Sequence, residues 1–80
     1  MRLLLVDSEN KREIIEINKN AYVSELVEKL RIQKGINGDI YLHFGGEILD
    51  ENELISTYDI VENAQIIYMG VFRGGVIYKY

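Results

Sequence analysis

Apolar side chains change their spacing along this chain, and each change marks an element. Arg2 to Val6 and Arg12 to Ile17 are short leucine-rich or β-branched runs flanking Asp7-Ser8-Glu9-Asn10-Lys11, a stretch of turn formers. This pattern predicts an N-terminal β-hairpin. Asn10 tolerates a left-handed backbone better than its neighbours and is the expected bulge position. Ile14 and Ile15 are adjacent, so the alternation is imperfect. With Ile15 and Ile17 turned to the core, Ile14 faces out and Glu13 points inward at the hairpin end.

From Val23 the period lengthens. Val23, Leu26, Val27 and Leu30 recur at i, i+3, i+4 and i+7, with Ser24, Glu25, Glu28, Lys29 and Arg31 between them, which predicts an amphipathic helix of about three turns. Asn20 or Tyr22 caps its start, and Gly35 followed by Ile36 is its stop signal. Ile40 to Phe44, a Gly45-Gly46 turn and Glu47 to Leu49 form a second hairpin. Leu54 to Tyr58 reads as a single helical turn, and Gln65 to Phe72 as the last strand before Arg73-Gly74-Gly75 and the tail Val76 to Tyr80. One helix across a mixed sheet gives each amphipathic element a face to bury against, a two-layer α+β solution.

Composition then removes whole classes of chemistry. An 80-residue chain is one small domain, which buries roughly 60–65% of its unfolded surface and leaves little room for a deep pocket. Without cysteine there is no disulfide framework, thiolate metal site or thiol nucleophile, and the lone His43 builds no metal cluster by itself. A net charge of −4 without a Lys/Arg cluster argues against nucleic acid as a partner. The opening apolar run is too short for a signal peptide, and nothing approaches a membrane span. The expectation is a soluble, cytoplasmic monomer, also nuclear in a eukaryotic host, with no cofactor and no enzymatic activity. The acidic run Asp50, Glu51 and Glu53 reads as a solvated loop, and Gly45-Gly46 lacks the strand-to-helix context of a phosphate loop.

The opening Met1 strand, Lys34-Gly35-Ile36 closing the helix, Leu42-His43-Phe44-Gly45-Gly46, Tyr58-Asp59-Ile60 and the late Arg73-Gly74-Gly75 stand in a particular order. In that order, with one residue missing between helix and third strand, the chain resembles ubiquitin and the ubiquitin-like proteins over residues 1–75. The resemblance implies a β-grasp domain at 1–75 and a tail at 76–80, the tail being a cleavable propeptide or an extra strand. It also implies a protein modifier, conjugated through a glycine carboxylate to target lysines by an isopeptide bond. Arg73, Gly74 and Gly75 would be the conjugation and processing residues, because glycine threads the narrow tunnels of such enzymes where a side chain would clash. The partners would be a processing protease and activating and conjugating enzymes of the E1 and E2 type. Lys11 and Lys29 match positions that accept chains in ubiquitin, although a surface lysine is by default a solvated charge.

A hairpin competes for the same residues, since apolar runs on both sides of Gly74-Gly75 can pair as strands. That favours a non-conjugated interaction module with its tail retained. A sulfur carrier ending in a thiocarboxylate is a third, weaker reading. Both main readings share a partner surface. Alternation turns Ile67 and Met69 outward beside Tyr41 and His43, with Leu4 as a satellite, where a wet sheet face should be polar. The resemblance makes these positions the apolar patch read by ubiquitin-binding domains, although scattered exposed apolar residues are ordinary on any surface. His43 stands where ubiquitin has its central isoleucine, and imidazole ordinarily titrates near ~6.5, which would make binding there weaker and pH-sensitive. Ser8 thins the patch further. Val71 replaces an arginine read by the ubiquitin activating enzyme, and Glu47 and Glu62 replace the two lysines most used for chains, so a modifier of this sequence either has enzymes of its own or does not form the usual chains.

Overall fold

A computed structural model of the chain describes residues 1–71 and the backbone of residues 77–78. Arg73, Gly74 and Gly75, with most of the tail, lie outside the described residues. Strands β1 (Arg2–Val6) and β2 (Arg12–Glu16) form the first hairpin. Its turn is stapled by Asp7, whose Oδ1 accepts the backbone N–H groups of Glu9 and Lys11, both at 2.9 Å. Asn10 takes the left-handed conformation, with φ of 66°. Ile17 falls one residue beyond β2 but exchanges backbone bonds with Met1, so it still closes the ladder.

Helix α1 spans Val23–Lys34. Tyr22 is its N-cap, yet the phenol does no capping. The Glu25 carboxylate reaches back to the Tyr22 N–H at 2.8 Å, and the carbonyls of Glu53 and Glu51 accept from Val23 and Ser24. The acidic loop therefore has a structural task that its composition hid: it satisfies orphan donors at a helix start, where negative charge is also favourable. At the other end Gly35 is left-handed at φ 64°, and Ile36 folds back into the core.

Strand β3 (Asp39–Phe44) turns through Gly45 and Gly46 into β4 (Glu47–Ile48), one residue shorter than the spacing suggests. Both glycines have positive φ, 61° and 84°, as a two-residue hairpin turn of the I′ kind requires. The helical turn is a 3-10 turn, Ile55–Tyr58, and the Tyr58 hydroxyl accepts the Asp50 N–H at 2.8 Å. Strand β5 (Gln65–Val71) lies centrally, parallel to β1 and antiparallel to β3. The sheet order is β2-β1-β5-β3-β4. A sixth short strand, β6 (Ile77–Tyr78), pairs antiparallel with β5, Gly70 opposite Tyr78 and Val71 opposite Ile77. Those two β5 residues also pair with β3, so β6 lies along the edge of β5 that β1 uses further back.

The core is the inner sheet face against α1. Leu3, Leu5, Ile15, Ile17, Leu42, Ile66 and Tyr68 meet Val23, Leu26, Val27 and Leu30, all buried. Glu13 points inward as expected and is held by α1: Gln33 Nε2 donates to its Oε1 at 2.6 Å, and Lys34 Nζ lies 3.0 Å from its Oε2. This is a mixed α+β sheet with one helix across it, the ubiquitin-like β-grasp.

Tyr68 is only 2% exposed. Its burial, then the Asp7 charge and a hydrogen bond with it, and the Glu13 charge, raise its pKa well above the ordinary tyrosine value. A folded pKa above the unfolded one contributes stability that is fully present below about pH 10 and lost as pH rises beyond it. In a spectrophotometric alkaline titration Tyr68 should ionise only as the fold opens. Tyr68→Phe should move the alkaline unfolding midpoint to higher pH, and an unmoved midpoint would rule this out.

Candidate functional site

The outward residues singled out in the sequence lie on the sheet face away from α1. The β3–β5 register opposes Tyr41 to Met69 and His43 to Ile67. Directly opposed side chains stand about 4.5–5.5 Å apart at Cβ, so these four form one block. Their inward-facing alternates, Ile40, Leu42, Ile66 and Tyr68, are all buried, which fixes the direction of the outward set. Tyr41 is 42% and Ile67 46% exposed, while His43 and Met69 are half-buried.

A shallow depression of about 320 Å³ runs from this block to the β3–β4 turn, bordered by His43, Ile67, Met69, Gly45 and Gly46. It is concave because the turn carries no side chains. A Cβ added at either glycine would meet nothing within 4 Å, so positive φ selects glycine there and the low rim follows from it. The larger depression, about 620 Å³ beside Met1, Lys19 and Val61, lies away from this face and joins no catalytic pair. No group of His, Asp or Glu able to hold a metal occurs among the described residues. No helix among them is long and apolar enough to cross a membrane.

Leu4 faces outward opposite Gln65 on β5 and Ile14 on β2, so it meets the block only at its margin, as the diagonal neighbour of Ile67. Two outward residues were missed in the sequence. Ile48, 58% exposed, opposes His43 and extends the block onto β4. The two-residue Gly-Gly turn specifies that pairing, so the signal was present. Val6 follows Leu4 on the outer face by alternation and opposes Ile67, yet it is 4% exposed.

The two candidate acceptor lysines differ. Lys11 is exposed in the β1–β2 turn, its Nζ 4.0 Å from Glu9 Oε2. Lys29 is tied down, with Nζ donating to the Glu16 carbonyl at 2.6 Å.

A family model described as ubiquitin-2 like Rad60 SUMO-like matches residues 1–68. No curated protein matches the chain.

Proposed function

Because the chain belongs to the family of ubiquitin-2 like Rad60 SUMO-like domains, a ubiquitin-like group that works through protein partners and is typically non-enzymatic, we propose that it is a non-conjugated interaction module. Its binding surface is the outer face of β3, β4 and β5. The observation that carries this reading is the block of Tyr41, His43, Ile48, Ile67 and Met69, where an antiparallel sheet with a wet face would present polar residues. The pairing of β6 with β5 favours retention of the tail: chain on both sides of the diglycine is bonded into the sheet, whereas a protease needs its substrate segment detached and extended.

Arg73-Gly74-Gly75 supports a second reading, the conjugated modifier. Here a protease hydrolyses the bond after Gly75, and partner enzymes activate the new carboxylate with ATP and transfer it to a lysine amine. Intact-mass analysis of the protein from its native cells separates the two. The module is expected as a species that retains residues 76–80, with no heavier conjugates. A form ending at Gly75, with Gly-Gly remnants on target lysines after trypsin cuts at Arg73, would establish the modifier instead.

A further inference from the structure

β2 is an outer strand, and among the described residues no element pairs with its far side. Its bonds to β1 determine what that side offers. Met1 and Ile17 exchange backbone bonds in both directions at 2.9 Å, so every second opposed pair from there, Leu3 with Ile15 and Leu5 with Glu13, is of the bonded kind. The N–H and C=O groups of Arg12, Ile14 and Glu16 therefore point to the open edge. Of these groups, the Glu16 carbonyl alone has a partner among the described residues, Lys29 Nζ. The side chains of the same three residues are exposed on the outer face, Ile14 at 62%. Arg12 makes no ion pair among the described residues, and Glu16 has only the amino group of Met1 at 3.5 Å.

Along this edge the outward side chains read Arg, Ile, Glu. A second copy laid antiparallel with Ile14 on the two-fold axis opposes Arg12 to Glu16 twice and Ile14 to itself. Opposite charges meet at both ends, the apolar residue is covered in the middle, and the open N–H and C=O groups face one another. Slipping the register by one repeat of the bonded pairs opposes Arg12 or Glu16 to Ile14 and loses both charge pairs, so the sequence selects a single register. Inward charge on an edge strand ordinarily blocks such pairing; here Glu13 is already neutralised by Lys34 at 3.0 Å. Ile32 on α1, 76% exposed, borders the same edge in a groove of about 290 Å³ with Ile14 and Lys29. The two-fold axis places both helices on one side of the joined sheet, so this groove faces its equivalent.

We infer that the chain self-associates through β2 into a two-fold symmetric dimer whose sheet runs unbroken across both copies, in place of the monomer expected from the sequence. The contact is narrow and below standard interface size, so association depends on concentration. It leaves the β3–β5 face open and stands independently of the function proposed above.

Sedimentation velocity of the full chain, in a series reaching about 1 mM, tests this. The expected result is a shift from one chain of 9.3 kDa toward twice that mass. Arg12→Glu should leave a monomer throughout, because like charges then oppose at both ends. Combining Arg12→Glu with Glu16→Arg should restore association to within about tenfold of the parent. Circular dichroism checks that both variants fold, and exchange of the Ile14 amide should slow as concentration rises. A parent chain that stays monomeric, a dimer indifferent to Arg12→Glu, or a double variant that fails to re-associate each overturns the inference. So does finding that β2 instead takes an extended segment of another protein while the chain remains monomeric.

Discussion

Replacing Leu26 with alanine should remove about 2–5 kcal/mol of stability. Leu26 is fully buried at the centre of the α1 face, among Leu3, Leu5, Leu30, Ile55 and Ile66. Alanine is the better helix former, so propensity works slightly in favour of the variant, and the loss comes from the lost transfer energy and the cavity left behind. A domain of 80 residues has a total stability of about 4–12 kcal/mol. One methyl-rich side chain is thus a large fraction of the whole. The melting temperature should fall by roughly 10–25 °C, with a matching drop in the urea midpoint. A loss below about 1 kcal/mol would mean that the sheet collapses onto the helix more readily than the packing allows.

Ile67→Asp should have the largest effect on function. The isoleucine is central on the outer face, opposed to His43 and flanked along β5 by Met69. Burying a carboxylate there against an apolar partner surface leaves an unpaired charge, and loss of a central anchor costs about 2 kcal/mol or more, roughly thirtyfold in affinity. The fold itself should lose only about 1 kcal/mol, since the side chain is already half in water. Val61→Asp is the control: Val61 is also an exposed β-branched apolar residue, at 64%, but it lies in the loop before β5. Proteins retained from native lysate on the immobilised domain should vanish with Ile67→Asp and persist with Val61→Asp. The reverse pattern would move the binding surface to the loop.

Most of the architecture was legible because it rests on periodicity. The i, i+3, i+4 spacing of Val23, Leu26, Val27 and Leu30 marks the buried face of α1, and alternation in β5 separates Ile66 and Tyr68 from Ile67 and Met69. Strand ends were legible only to within a residue, as at Ile17, Asp39 and Leu49, because a ladder ends where its partner strand ends. Glu25 as a cap was overlooked because it acts through the backbone of Tyr22, three residues away. The acidic loop was read by its side chains when its carbonyls do the work.

By itself the sequence determined the order of elements, which face of each is apolar, and the turn glycines and Asn10 that need positive φ, since these depend on spacing along one strand or helix and on the conformational range of single residues. Only the tertiary structure decided how the first hairpin joins the last strand, with β1 parallel to β5. That set Gln65 opposite Leu4 and Ile67 opposite Val6, put Glu13 against Lys34, and left no strand on the far side of β2 among the described residues. Each of these results joins residues distant in the chain, and such pairings follow from how whole faces bury against one another, which no local pattern encodes.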